Sequence, residues 1–356
     1  MKSFSSLKKN RPLSRFLLIV FGLLFSLILL EIVLRGYFFL SEAQVLGLKP
    51  ARTTLKFYET DIVGHALVPD QTGWFVPHSQ EYFTWVKVNS SGWVDSEHLI
   101  EKPPNVFRIL IIGDSFVENL QVPLEQSFFK QIEKNLNKKY RNIEVIAMGR
   151  GNTGTTQQLL ILRNYGLKFK PDLVIHMFFS ANDVKNNSQT LQNDPYLPYY
   201  ALDKKGILKL IPHQKRQNRK FARLKDYLKN LRVVDMGLAL RQSYLEQVRN
   251  KDQGYPLDYQ IYDEIYSQRY ENAWEITKKL ILENKFTGER NNADYVLVSL
   301  ANNEQVNQEV WSSVLEAYPK MKKVRFDLET PDKILGNFCI KEKLNCLFML
   351  QDFRQF

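Results

Sequence analysis

Cysteine and histidine are scarce in this chain of 356 residues, which contains two Cys and five His. The two cysteines, Cys339 and Cys346, do not by themselves define a metal site. Their separation permits a disulfide in an oxidising compartment, although two unpaired buried thiols fit the sequence equally well. The sequence predicts neither a metal nor an organic cofactor.

Internal repeats and long low-complexity tracts are also lacking. Charged residues make up 24% of the chain and hydrophobic residues 44%, which is typical of a globular protein and argues against general disorder. The length allows one large or two smaller domains.

A long apolar run lies near the N-terminus. Residues 1–15 carry five cations and no acid, and the apolar stretch that follows contains Glu31 as its one charge. Because ~20 such residues span a bilayer, and because bulky Tyr37–Phe39 follow where a cleaved signal would have small residues, an uncleaved anchor is favoured over a cleaved signal or a buried soluble helix. We predict a basic cytoplasmic tail (1–15), a single-pass transmembrane signal-anchor helix (16–40) and a main domain that is periplasmic or extracellular.

The net charge is +11, and a second basic cluster lies at 215–232. A solvated helical face is the simpler interpretation, and contact with anionic lipid headgroups or an acidic glycan is the alternative. A nucleic-acid partner is not expected for a domain outside the cytoplasm.

Strand-like and helix-like segments alternate in the rest of the chain. Short apolar runs typical of buried parallel strands are Val106–Ile112, Ile143–Met148, Leu173–Phe179, Ala293–Leu300 and Cys346–Leu350. Amphipathic segments lie at 123–138, 155–166 and 265–283. We therefore predict an α/β domain over 105–356 with a doubly wound parallel sheet, after an irregular lead-in over 41–104. An insertion over about 186–264, after the third strand, should contain a hairpin (Tyr199–Leu202 and Ile207–Leu210) and a helical stretch.

Three consecutive strand ends carry the residues that suggest chemistry. The first strand runs into Gly113-Asp114-Ser115-Phe116, the second into a glycine-rich loop, Gly149–Gly154, and the third into Ser180-Ala181-Asn182-Asp183. Carboxyl ends of parallel strands share one edge of the sheet. A hydroxyl nucleophile, a bare backbone N–H and a carboxamide donor are the parts that acyl transfer requires.

The order of these motifs resembles the SGNH/GDSL hydrolases. The segments Val86–Asp95 and Phe107–Phe116 also resemble the lead-in of membrane-anchored bacterial members of that family. The resemblance spans roughly 55–356, is strongest over 86–187, and implies the SGNH hydrolase fold, a flavodoxin-like doubly wound sheet.

The resemblance implies that Ser115 is the nucleophile. Its own N–H, the Gly151 N–H and the Asn182 side chain would form the oxyanion hole, and Gly149 is the alternative to Gly151. Ala181 departs mildly from the family, which usually has Gly there. Asp114 and Asp183 are expected to hold loop geometry by bonding to backbone groups.

The general base is the larger departure. The family supplies it from a late Asp-x-x-His, but all five histidines of this chain precede its last two strands. We expect the sequence to be a fragment that stops before that motif and to be inactive as given; a natural chain without catalytic power is the alternative. Asp95-Ser96-Glu97-His98 matches the spacing but precedes the nucleophile, and His176 is interpreted as a core histidine.

These observations predict a serine ester hydrolase or O-acyl (acetyl) transferase that acts outside the cytoplasm. The resemblance to membrane-anchored members of the family, together with the external placement, implies O-acylated glycans, envelope polysaccharides or small esters as substrates. The rival hypothesis is a non-catalytic, membrane-tethered glycan-binding or assembly module with the same fold. The sequence does not indicate an oligomeric state.

Overall fold

The computed structural model describes residues 11–44, 49–50, 52–77, 80–213, 231–234, 236–238, 240–241 and 255–355. The chain divides into two units, one formed by Met1–Ala51 with Gln217–Arg249 and the other by Arg52–Arg216 with Asn250–Phe356. Most of the basic cluster at 215–232 and its predicted helix lie outside the described residues, as does His78.

Helix α1 (Arg11–Glu42) belongs to the first unit. Of the residues that the structure describes, this helix alone is long and apolar enough to cross a bilayer. Its side chains are largely exposed, and Arg35 pairs with Glu31 one turn away at 2.7 Å. Within the same unit, the Val233 N–H donates to the second oxygen of Glu31 at 3.0 Å. Both oxygens of the only carboxylate in the apolar stretch therefore accept a hydrogen bond.

The second unit begins with two antiparallel hairpins, where the sequence suggested an irregular lead-in. Strands β1 (Phe57–Thr60) and β2 (Gly64–Leu67) form the first hairpin, and β3 (Thr72–Phe75) and β4 (Thr84–Lys87) form the second. Each strand is only four residues long, so hydrophobic periodicity was too brief to predict it. The prediction of an irregular stretch was wrong for these segments.

A five-stranded parallel sheet follows. Its strands are β5 (Phe107–Gly113), β6 (Ile143–Gly149), β7 (Leu173–Phe179), β10 (Asp294–Leu300) and β11 (Cys346–Phe348). Their spatial order is β11-β10-β7-β5-β6, which is the flavodoxin-like doubly wound arrangement. The predicted fold class is confirmed, and the hairpin after the third sheet strand is present as β8 (Tyr199–Leu202) and β9 (Leu208–Ile211).

Helices cover both faces of the sheet. In chain order they are α2 (Ser115–Glu118), α3 (Phe128–Lys139), α4 (Thr155–Asn164), α5 (Ser180–Asn186), α6 (Gln189–Gln192), α7 (Gln268–Glu289), α8 (Asn303–Val306), α9 (Gln308–Ala317), α10 (Thr330–Glu342) and α11 (Leu350–Arg354). Short 3₁₀ turns lie at Leu124–Gln126, Gly166–Phe169, Leu257–Tyr262 and Pro319–Lys323. Helix α3 begins later than predicted because the Ser127 hydroxyl caps it by accepting the Lys130 N–H.

Alternate residues of the strands enter two separate cores. In β5, Leu110 and Ile112 pack into the larger core beneath α4, α7 and α10, whereas Ile109 and Ile111 pack into the core beneath α3. This alternation follows from the two-residue period of a strand, and burial on both faces explains why β5 is apolar almost throughout.

One disulfide joins Cys339 in α10 to Cys346 at the start of β11. The sequence left the choice between a disulfide and two thiols open, and the structure has the disulfide. It links the end of a helix to the edge strand of the sheet.

Candidate active site

The candidate nucleophile lies where the strand order of the sheet reverses. Ser115 follows β5 directly, and β5 lies between β6 and β7. Crevices at this position, outside the carboxyl ends of the strands, are the usual ligand sites of open α/β sheets. The side chain of Ser115 is partly exposed at the first position of the short helix α2.

The glycine loop meets Ser115 from β6. A Cβ atom built on Gly151 would lie 3.7 Å from the Cβ of Ser115, so the two residues are direct neighbours. Gly149 approaches the α2 backbone even more closely, because a Cβ there would come within 2.1 Å of the Glu118 nitrogen. No side chain fits at that position without moving α2, which carries the nucleophile.

Asn182 reaches the site from the end of β7. Its Nδ2 donates to Oδ2 of Asp114, the residue before Ser115, at 2.9 Å. The Oδ1 atom of Asn182 is buried without a hydrogen-bond partner. One amide hydrogen of Asn182 is therefore held by Asp114, the residue before Ser115, so Asn182 and the candidate nucleophile are linked through one side chain.

The two aspartates beside the site hold loop geometry. Asp114 accepts the Phe116 N–H at 3.0 Å and caps α2, and Asp183 accepts the Phe179 N–H at 2.8 Å. Burial raises the pKa of Asp114 to about 6. Burial, and then the negative charge of Asp114, raise the pKa of Asp183 well above its ordinary value.

Glu118 and Arg150 form a buried ion pair that sequence reasoning missed. Glu118 accepts from Arg150 Nη1 at 2.8 Å and from the Gly151 N–H at 2.8 Å. Arg150 also donates to the Gly92 carbonyl and stacks on Trp93, 4.9 Å from the ring centroid. The pair fixes the glycine loop against α2. The sequence did contain a sign of this pair. Glu118 lies one helical turn after Ser115, Arg150 lies inside the glycine loop, and their charges are opposite.

The Gly151 N–H is thus bound to a carboxylate in this structure, although we predicted it as an oxyanion donor. Ser115 and Gly151 nevertheless lie side by side, and the Ser115 N–H lies at the N-terminus of α2. Use of the Gly151 N–H for an oxyanion would require Glu118 to release it.

Asp95 and His98 belong to a different site. His98 bonds to Asp95 at 3.1 Å through Nε2 and to Glu144 at 2.6 Å through Nδ1, and Lys130 pairs with Asp95 at 2.8 Å. Glu144 lies near the amino end of β6, whereas Gly149 ends that strand at the candidate site. At ~3.3 Å per residue the two lie roughly 16 Å apart along the strand. Both ring nitrogens of His98 are used for structure.

His176 is a core histidine, as interpreted from the sequence. It lies fully buried in β7 between the Tyr295 hydroxyl and Gln158 Oε1, each 2.6 Å away. Burial lowers its pKa to about 3. The neutral ring donates to Gln158, whose amide donates to Asp183 at 3.1 Å, so the histidine helps to orient α5, the helix that carries Asn182.

His65 and His213 complete the described histidines. Burial, and then the positive charge of Arg150, lower the pKa of His65, and a hydrogen bond to the Gly151 backbone opposes that shift. His213 pairs with Asp61 at 3.3 Å. These contacts join the four described histidines to groups other than Ser115.

Among the described residues, no cluster of three or more His, Cys, Asp or Glu side chains could hold a metal ion.

Known proteins are similar to this chain in structure. TesA matches with a TM-score of 0.32 and 11% identity, over 67% of this chain and 76% of its own. A GDSL-like lipase from Bacteroides thetaiotaomicron matches with a TM-score of 0.29 and 11% identity, over 69% of each chain. AlinE4, an SGNH-hydrolase family esterase, matches with a TM-score of 0.24 and 14% identity, over 55% of this chain and 77% of its own.

The chain is similar to solved SGNH/GDSL hydrolases. No family model and no curated protein matches it. The strand order of the sheet is that of the flavodoxin-like fold, and Ser115 and Gly151 are direct neighbours at its edge.

Proposed function

We propose that the protein is a serine ester hydrolase or O-acyl transferase of the SGNH/GDSL type. The observation that carries this proposal is the convergence of Ser115, Gly151 and Asn182 at the point where the strand order reverses. Acyl transfer needs a nucleophile beside preorganised donors, and this edge of the sheet supplies both.

In the proposed reaction, the Ser115 hydroxyl attacks the carbonyl carbon of an ester while a base accepts its proton. The carbonyl oxygen gains negative charge, which the Ser115 N–H and the Asn182 amide stabilise. Collapse of the tetrahedral intermediate expels the alcohol, and the acyl-enzyme then transfers its acyl group to water or to a sugar hydroxyl.

The Asp-x-x-His of the family supplies the base in this proposal. His98 and His176 are engaged at both ring nitrogens, so neither is free to accept the serine proton. We therefore expect the 356-residue chain to hydrolyse p-nitrophenyl acetate at least about 10³-fold more slowly than a chain that carries the motif.

We further propose that α1 anchors the protein, with residues 1–15 in the cytoplasm and the α/β domain outside it. The cations before α1 favour that orientation. The Cys339–Cys346 disulfide also supports an oxidising compartment. O-acylated envelope glycans are the corresponding substrate class.

The test is covalent labelling with a fluorophosphonate, which reports an accessible serine nucleophile. In a chain that carries the motif, we expect labelling to be lost in Ser115→Ala and kept in Ser312→Ala, a control on the exposed face of α9. Labelling that persists in Ser115→Ala would place the nucleophile elsewhere.

The second candidate is a non-catalytic glycan-binding or assembly module. The contact that favours it is the Glu118 carboxylate on the Gly151 N–H, because a negative group there opposes an oxyanion. Absence of Ser115 labelling in a chain that carries the motif, with the fold intact, would favour this candidate.

A further inference from the structure

His98 lies between two carboxylates beside β6. Its Nε2 atom lies 3.1 Å from Oδ2 of Asp95, and its Nδ1 atom lies 2.6 Å from Oε1 of Glu144. The side chain of His98 is 7% exposed and that of Asp95 is 1% exposed. Water has little access to these two bonds, which we call the His98 bridge, so the protonation state of the ring has to match both partners.

The carboxyl group of Asp95 is ionised. It also accepts the N–H groups of Ser96 and Ala147, at 2.7 and 2.9 Å, and pairs with the ammonium group of Lys130 at 2.8 Å. A protonated carboxyl group would place its own hydrogen among these donors. Burial raises the pKa of Asp95, but the hydrogen bond from His98 and the charge of Lys130 bring it below its ordinary value.

Glu144 is ionised for the same reason. Its second oxygen accepts Nε of Arg108, a fully buried guanidinium, at 2.6 Å. Burial raises the pKa of Glu144, but the hydrogen bonds from His98 and Arg108 bring it below its ordinary value. Both partners of the His98 bridge are therefore acceptors only.

The ring of His98 therefore donates from both nitrogens, which only the imidazolium can do. A neutral ring carries one N–H, and its other nitrogen would direct a lone pair at an ionised oxygen. Burial lowers the pKa of His98, but the bonds to Asp95 and Glu144 outweigh burial and raise it above its ordinary value. The cation is thus the form that the folded structure stabilises.

The other charged groups around His98 also favour the cation on balance. Four structural elements supply the charged groups that surround the ring or pair with its partners: Asp95 and Glu97 on its own segment, Glu144 on β6, Lys130 and Glu133 on α3, and Arg108 on β5. The four carboxylates outnumber the two cations, and an excess of negative charge stabilises an imidazolium.

The segment at 89–100 connects His98 to the glycine loop. The Gly92 carbonyl accepts Nη2 of Arg150 at 3.1 Å, and the Arg150 guanidinium lies 4.9 Å from the ring centroid of Trp93. Arg150 belongs to the glycine loop beside the candidate nucleophile. The segment is thus held at one end by the His98 bridge, and its other end holds the glycine loop.

We propose that the His98 bridge is a proton-dependent contact that positions the segment at 89–100 and, through Arg150, the glycine loop. Loss of the ring proton breaks one of the two bonds and loosens both. His98 is therefore a positioning residue of the glycine loop. Its influence on acyl transfer rests on the proposed function, whereas the contact itself does not.

The sign of the pH dependence follows from the pKa shifts. The pKa of His98 is raised, so its contribution is fully present below the ordinary value of 6.5 and is lost as the pH rises through the raised value. The pKa values of Asp95 and Glu144 are lowered, so the bridge persists in acid until the pH falls below their ordinary values, 3.8 and 4.5.

The first measurement is an NMR titration of the histidines in the full chain in detergent. We expect a midpoint for His98 above 6.5, and His98→Gln assigns its signal. Glu144→Gln keeps an oxygen that accepts from Arg108 but removes the charge, and it should lower the midpoint by about one pH unit or more. Glu125→Gln is the matched control at an exposed position and should leave the midpoint unchanged.

The second measurement is hydrogen exchange, read by mass spectrometry as protection relative to the intrinsic exchange rate at each pH. Protection of the peptides at 89–100 and 149–154 should fall about tenfold or more as the pH rises through the His98 midpoint, because a charge-assisted hydrogen bond is lost. Protection of β7 (Leu173–Phe179) should stay constant. In His98→Gln the two peptides should exchange fast at every pH.

Three results would each overturn the proposal: a His98 midpoint at or below 6.5, a midpoint that Glu144→Gln does not move, or equal protection on both sides of the midpoint. If His98→Gln does not fold, Glu144→Gln alone decides, since its exchange transition should occur at lower pH. Exchange that depends on His98 without fluorophosphonate labelling of Ser115 would overturn the esterase function alone. Labelling without that exchange would overturn the role of His98 alone.

Discussion

The carboxylate of Glu118 accepts the Gly151 N–H at 2.8 Å. The helix that begins with Ser115 therefore ends with the group that holds the glycine loop. Because the other oxygen of Glu118 binds buried Arg150, one ion pair couples the nucleophile's helix to the loop beside it. The spacing of Ser115 and Gly151 thus depends on a residue outside the predicted catalytic set.

Glu118→Gln should destabilise the fold strongly. The amide can still accept one hydrogen bond, but it leaves the buried guanidinium of Arg150 without its counter-charge. Breaking one side of a buried pair costs roughly 3–5 kcal/mol, which denaturant unfolding can measure. Glu125→Gln, an exposed control, should stay within about 0.5 kcal/mol of the unchanged chain.

Removal of both partners sharpens this test. Glu118→Gln with Arg150→Met should be less destabilised than the sum of the two single changes, since no unpaired charge remains. Additive losses would show that the ion pair does not couple α2 to the glycine loop.

Asn182→Ala should slow formation of the fluorophosphonate adduct at Ser115 in a chain that carries an Asp-x-x-His motif. The amide is the side-chain donor that approaches the site from β7, and loss of one oxyanion donor costs about 10²–10³-fold in acyl-transfer enzymes. The measurement is the labelling rate at fixed probe concentration. The control is Asn135→Ala, at an exposed position of α3. Equal labelling rates in the two variants would show that Asn182 is not an oxyanion donor.

Asp114 should make stability depend on pH. Its pKa is raised from 3.8 to about 6 in the folded chain, so the native state holds a proton that the unfolded state releases. The contribution of Asp114 to the free energy of unfolding is therefore fully present below about pH 4. It is lost as the pH rises through about 6, and the loss amounts to roughly 3 kcal/mol at most. The pKa of Asp183 is also raised, so its contribution to stability is likewise lost as the pH rises.

Asp114→Asn removes that titration while it keeps an oxygen to cap α2. The melting temperature of the variant relative to the unchanged chain should therefore rise between pH 4 and pH 7. Asp352→Asn, an exposed change, should show a constant difference. A pH-independent difference for Asp114→Asn would mean that this carboxyl group titrates normally in the folded protein.

The sheet and its strand ends could be predicted because their signals are local. Runs such as Leu173–Phe179 are apolar because both faces of the strand are covered, and each motif follows its strand directly. The pairing of Glu118 with Arg150 could not be predicted, since it joins residues 32 apart through the geometry of the sheet.

The Cys339–Cys346 disulfide should stabilise the edge of the sheet. The bridge closes a loop with a sequence separation of seven residues, for which loop entropy gives roughly 2–3 kcal/mol. Reduction should lower the melting temperature, and Cys339→Ala with Cys346→Ala should reproduce the lowered value and lose all sensitivity to reductant. If reductant acts equally on both proteins, its effect does not arise from this bridge. If the double variant melts like the oxidised chain, the closed loop contributes nothing to stability, and β11 is held by its pairing with β10 and by the packing of Phe348 on the larger core.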